Sequence, residues 1–428
     1  MRPNNLREAH IHLAWHARSM LTAGGSLSSC TDLASVLQLA REAARADQGL
    51  RVLSDARPDG WTEARWPTLV ELDEATGDIP IVLRHFDHHS MMVNSAALRT
   101  AKIDQWTPSP EGGRIEYDSE GLPTGVLLES ACRLINDAIG FDTVRLGDLF
   151  DLVVSEPFAE YHEMLAQPQL GGRLHELEGY AAANGYPSSA LPRFRLYAPL
   201  DRLADDVISA RRWQTERVRL DGGKIFVDGT LNSRTAWMLE PYADGPPDHP
   251  AGMALMTPPA IDHAINECAS HGLRLACHAI GDAAVRAVLD AVERVRPPRW
   301  TVRIEHAEFV APDDLPRFAG LGVIASVQPC HLLTDIEALQ RATPEMLTRV
   351  LPLRALIDAG LEPGSSLLFG SDAPVVRTHP EDSIRAAVHR SRAAPGSTAI
   401  AGEQAITEAE AWACFDANRR MPAIGDGC

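Results

Sequence analysis

The 428-residue chain has 45% hydrophobic and 23% charged residues, an ordinary balance for a globular protein large enough for one big α/β barrel or two to three smaller domains. Its formal net charge of −18, with no block of Lys and Arg, argues against nucleic acid or an anionic membrane as partner and leaves a small molecule as the expected one. Seven cysteines (Cys30, Cys132, Cys268, Cys277, Cys330, Cys414, Cys428) with no C-x-x-C pair, no apolar signal segment and no uncharged run of membrane-spanning length predict a reduced, cytoplasmic protein.

The first predicted element is a strand in EAHIHLAWH (8 to 16), where His10 and His12 stand two positions apart and therefore share a face. RVLSDA (51 to 56) and PIVLRHF (80 to 86) are the next strand candidates. A Pro- and Gly-containing stretch from about 57 to 185 reads as an insertion, and its Trp61 and Trp66, with Trp237 further on, are candidates for an apolar pocket wall. From RFRLYAPL (193 to 200) and KIFVDG (224 to 229) onward, short apolar strands alternate with amphipathic helices. GLRLACH (272 to 278) precedes a helix over 281 to 295 with Ala284, Val285, Val288, Val292 and Val295 on one face. TVRIEH (301 to 306), VIASVQP (323 to 329) and SSLLFGSD (365 to 372) complete the series, which contains nine strand candidates in all. This alternation predicts an α/β chain folded as a (β/α)8 TIM barrel. A barrel uses eight strands, so at least one candidate belongs to an insertion between early strands, and pattern alone does not say which.

Active sites of such barrels lie where the strands end. Three predicted strands end in His278, His306 and Asp372. Each has an ordinary reading alone: a histidine bonded to a loop carbonyl, a mouth-filling side chain, a helix cap. Together with the H-x-H of the first strand they place four imidazoles and a carboxylate at one mouth, a donor set suited to a metal ion. Lys224, on the KIFVDG strand, adds an amine that burial would keep neutral and able to take up carbon dioxide as a carbamate.

The motifs AHIHL (9 to 13), DHHSMMVNSAAL (87 to 98), GLPTGVLLESA (121 to 131), GGKIFVDGTLNSRTAW (222 to 237), CHAIGDAAV (277 to 285), RIEHAEFV (303 to 310), SVQPCH (326 to 331) and FGSDAPV (369 to 375) run in order along nearly the whole chain. In them the sequence resembles the amidohydrolase superfamily, and specifically the family 3 branch that includes N-substituted formamide deformylases. The resemblance implies a single hydrolase barrel domain over residues 1–428 that holds one or two divalent cations, zinc by expectation. It places His10 and His12 on a buried metal, His278 and His306 on an exposed one, carboxylated Lys224 between them, and Asp372 on the first metal and the water. It further implies cleavage of a non-peptide C–N bond, in an N-acyl or N-formyl amide, by hydroxide formed on the metal, with Asp372 as catalytic base and then acid. His331, Arg234, His88 and His89 are candidates for substrate orientation or oxyanion stabilisation.

The sequence departs from that branch in one respect. Relatives begin well before the first barrel strand with part of a flanking β-sandwich, which strands after the barrel complete, and both parts are expected to be missing here. The bared barrel flank would favour homo-oligomers. Two other readings use the same residues: an esterase or lactonase on the same metal site, and a non-catalytic barrel.

Overall fold

The computed structural model describes residues 2–3, 5–19, 25–45, 51–87, 89–110, 112–138, 145–392 and 397–426; His88, an expected substrate contact, lies outside them. The chain divides into two compact units, one of residues 1–18 and 144–428 and the other of residues 19–143. In chain order the strands are β1 (Leu6–Ile11), β2 (Arg51–Ala56), β3 (Ile81–His85), β4 (Ser90–Val93), β5 (Gly113–Tyr117), β6 (Pro123–Glu129), β7 (Phe158–Glu163), β8 (Arg193–Pro199), β9 (Val218–Phe226), β10 (Arg274–Ala279), β11 (Val302–His306), β12 (Ile324–Val327) and β13 (Leu367–Phe369).

In the first unit β1, β7, β8, β9, β10, β11, β12 and β13 lie side by side in that order, with parallel pairing throughout. A parallel bridge from Ile11 to Ala373 closes the seam. There the Asp372 amide donates to the His10 carbonyl at 2.7 Å and the His12 amide to the Ala373 carbonyl at 2.8 Å. This is the (β/α)8 TIM barrel that the strand-helix rhythm predicts.

Strand alternation sorts the side chains. On β10, Leu275 and Cys277 join the large core between strands and helices, while Ala276 meets Tyr197 and Met164 inside the barrel. Gly222 makes room for that interior: a Cβ there would lie 2.6 Å from the Tyr197 ring. The helix Asp282–Val295 buries Ala284, Val285, Val288 and Val292, the stripe that its sequence predicts, which keeps the end of β10 firmly backed.

In the second unit the strands run β2-β3-β4-β6-β5, parallel between β2 and β3 and antiparallel elsewhere. Its core gathers Leu27, Val36, Leu53, Leu72, Ile81, Leu83 and Met92 with Trp61, and Trp66 packs against them. Three sequence expectations are corrected here. Of the nine strand candidates two lie outside the barrel, since residues 51–56 and 80–86 pair with each other in this sheet. Phe158–Glu163, inside the expected insertion, is a barrel strand. The separate unit accordingly spans 19–143 where an insertion at about 57–185 was expected. Every strand named falls in one of the two sheets, so the described residues form no flanking β-sandwich. No helix of the described residues is long and apolar enough to cross a membrane.

Candidate metal centre

Five barrel elements deliver the candidate ligands. His10 and His12 come from β1 and the residue beyond it, Lys224 from β9, His278 from β10, His306 from the last position of β11, and Asp372 from the turn after β13. Alternation alone would turn His306 away from the interior, because Arg303 and Glu305 on the same strand face inward. A left-handed backbone bends the strand end at His306 (φ 74°) and Ala307 (φ 44°), and Asp372 has φ 63° for a similar re-aiming. Gly370 permits the approach of the two seam strands, since a Cβ there would lie 2.5 Å from the His10 backbone nitrogen.

The result is one buried cluster. Donor atoms of His10, His306 and Asp372 all lie within 4.8 Å of one another. The rings form a continuous series, with centroid separations of 5.7 Å from His12 to His10, 5.0 Å from His10 to His306 and 4.4 Å from His306 to His278. Asp372 Oδ1 stands 3.3 Å from His10 Nε2 and 3.1 Å from His12 Nε2, with no donor aligned on it. His12 Nδ1, His306 Nδ1, Lys224 Nζ and Asp372 Oδ1 are buried without a hydrogen-bond partner. Four unsatisfied polar atoms within one mouth are costly unless something else satisfies them.

The charge states suit a cation. Burial drives His306 well below the usual imidazole range and lowers His12 as well, so both offer lone pairs. Burial works against ionisation of Asp372, but the facing imidazoles of His10 and His12 outweigh it and hold the carboxyl well below its usual range. Burial likewise pushes Lys224 down to about 8, against the pull of Glu305 and Asp372. Neutral imidazoles, an ionised carboxylate and an amine near neutrality are the forms in which these groups ligate metals or react with carbon dioxide. The residues therefore fit a divalent cation. The tightest set takes His10 from one expected pair and His306 from the other, with Asp372.

Sequence reasoning missed what surrounds the cluster. Glu305 Oε2 lies 2.7 Å from His10 Nδ1, and Arg303 holds both Glu305 oxygens from below. Asp228 accepts from the amides of Trp237, Ile280 and Gly281 at 2.8–3.0 Å, tying the 229–237 loop to the end of β10. His278 Nε2 meets the Gly229 carbonyl at 3.0 Å. One signal pointed to the first pair: Arg303 and Glu305 are charges two apart in an otherwise apolar strand, hence on one face of it.

The expected substrate contacts fall in different places. His331 lies 6.0 Å from His306 ring to ring, and its Nε2 meets the Ser371 carbonyl at 3.2 Å. With His306, Glu308, Gln328, Leu332 and Leu351 it lines a small recess of about 10 Å³, room for about one water molecule. Arg234 is committed to a bidentate pair with Asp244 at 2.8 and 2.7 Å. His89 belongs to the second unit, where its Nδ1 lies 2.6 Å from Glu129 Oε2.

Known proteins share the family pattern and the fold of this chain. The pattern of the amidohydrolase family matches residues 6–425. The protein LONG AFTER FAR-RED 3 of Arabidopsis thaliana is 30% identical over 410 residues, covering 90% of this chain and 68% of the relative. N-substituted formamide deformylase of Arthrobacter pascens is 28% identical over 381 residues, covering 85% and 68%. In fold, the chain resembles an uncharacterized metal-dependent hydrolase from Pyrococcus horikoshii, with TM-score 0.70 and 24% identity over 96% of this chain and 78% of that one. The chain therefore belongs to the amidohydrolase family, and its class is that of a hydrolase.

Proposed function

We propose that the chain is a metal-dependent hydrolase of a non-peptide C–N bond, in an N-acyl or N-formyl amide of a small molecule. The observation that carries the metal reading is the buried cluster of His10, His306 and Asp372, with its unsatisfied donor atoms. Support for the bond comes from the likeness to N-substituted formamide deformylase.

His10, His306 and Asp372 would hold the cation, with His12, His278 and Lys224 beside them; an all-nitrogen-and-oxygen set of this kind suits zinc. A divalent cation bound there supplies Lewis acidity toward the substrate carbonyl and brings the pKa of water from 15.7 toward about 7. Asp372 takes the proton of the attacking water at the carboxylate oxygen that the cation leaves free and returns it to the departing nitrogen, base in one step and acid in the next. Lys224, neutral in part at physiological pH, adds carbon dioxide at Nζ, forming a C–N bond and releasing one proton to water, and the carbamate's two oxygens could then ligate.

The test is a panel of N-formyl and N-acyl amines, carboxylic esters and lactones given to the zinc-loaded protein. The highest kcat/KM is expected on an amide. Turnover confined to esters or lactones would overturn the bond assignment, and equal turnover by chelator-stripped protein would overturn the metal assignment.

A further inference from the structure

We propose that Glu305, clamped by Arg303, is a positioning residue that fixes the tautomer of His10 and so sets the affinity of the metal centre. The inference rests on the metal reading above and deepens it. Glu305 Oε2 sits 2.7 Å from His10 Nδ1, while His10 Nε2 faces Asp372. An ionised carboxylate can only accept, so Nδ1 must carry the ring proton and Nε2 keeps the lone pair that a cation needs. His12 Nδ1 and His306 Nδ1 have no hydrogen-bond partner, so neither ring is held in this way.

Arg303 makes the arrangement rigid. Its Nε and Nη2 donate to the two Glu305 oxygens. Nη1 donates to His162 Nδ1 at 2.9 Å and to the Tyr197 hydroxyl at 3.2 Å, and Nη2 also reaches the Ala9 carbonyl at 2.8 Å and Ser326 Oγ at 2.7 Å. The guanidinium fork thus finds an acceptor for every donor and cannot turn away from Glu305. Arg303 and Glu305 are both fully buried, so no water competes for these contacts.

The geometry makes Glu305→Gln an unusually sharp variant. Either orientation of the amide sets its NH2 against an Arg303 N–H; keeping the oxygen on the shorter Nε contact puts NH2 in the place of Oε2, 3.2 Å from Nη2 and facing His10. That NH2 would donate to Nδ1 and move the ring proton to Nε2, where a cation has to bind. Chelator-stripped protein is titrated with zinc against a chromogenic competitor, and cobalt-loaded protein is read by its visible absorption. Glu305→Gln is expected to bind zinc ~10–100-fold more weakly than the natural sequence and to change the cobalt bands. Ser326→Ala, which removes another Arg303 partner and spares the Glu305 contact, is expected to match the natural sequence in both readouts. Arg303→Lys, which keeps the charge and loses the fork, is expected to weaken zinc binding to a smaller degree, and it decides the question if Glu305→Gln does not fold. Unchanged zinc affinity in Glu305→Gln, or in Arg303→Lys where that variant decides, would overturn the proposal, as would an equal loss in Ser326→Ala. No zinc binding by the natural sequence would overturn the metal reading itself, and this inference with it.

Discussion

Two layers of one barrel interior use the same residue types to opposite ends. In the lower layer Arg7 donates to Glu160 at 3.0 Å, Arg193 donates to Glu160 at 2.8 Å, and His162 Nε2 meets Glu160 at 3.2 Å, before Arg303 and Glu305 carry the network upward. Every side-chain nitrogen and oxygen of Arg7, Glu160, His162, Arg303 and Glu305 has a partner there. At the mouth His12, Lys224, His306 and Asp372 are as deeply buried and each keeps an atom with none. Satisfied charge makes structure, and unsatisfied charge marks where a ligand belongs.

Four experiments would break or sharpen that contrast. The largest effect is expected from Asp372→Asn, which should lower kcat by ~10²–10⁴-fold by removing the proton acceptor, with circular dichroism unchanged. Retained turnover would show that the mouth carboxylate is structural after all. In the lower layer, Glu160→Gln strips the partner from buried Arg7 and should cost ~3–5 kcal/mol in chemical denaturation, with zinc affinity preserved. A fall in zinc affinity of the same order as the loss of stability would dissolve the division between layers.

Ligand linkage gives the third. Zinc at a hundred times its dissociation constant should stabilise the stripped protein by ~2.7 kcal/mol, read as a rise in Tm that Asp372→Asn largely loses. The smallest effect is a pH slope. Burial favours protonation of Glu160, but His162, Arg7 and Arg193 prevail and hold its carboxyl below the usual range. A depressed folded-state pKa contributes stability that is present above the ordinary value of about 4.5 and is lost as pH falls below it, at up to ~1.4 kcal/mol per pH unit. Denaturation between pH 5 and 3 should show this slope, and Glu160→Gln should flatten it.

Much of this was legible in the sequence because barrels converge on their strand ends. His278, His306 and Asp372 follow from that rule, and His10 with His12 from the spacing of a strand. The rule does not contain the bend that brings His306 inward, which needs a backbone conformation that composition does not announce. Strands β2 and β3 stand among the nine barrel candidates because a parallel pair in the second sheet has the same apolar character as a barrel strand. The opposite error hid β7: FAEYHE alternates apolar with Glu160 and His162, which reads as a half-exposed strand, whereas both polar side chains point into the satisfied lower layer. Glu305 escaped notice for the same reason, since a charge at an interior position only makes sense once its partners, His10 of β1 and Arg303 of its own strand, are in place.

The seam at which the barrel closes joins residue 10 to residue 372 through backbone hydrogen bonds on both sides of the ligand cluster. A ribosome must therefore release nearly the whole barrel before His10 can meet Asp372, and the contact is among the least local that the chain makes. Until then His10 and His12 sit on a strand that lacks one neighbour, unable to assemble the donor set. The complete donor set therefore exists only once the ring has closed.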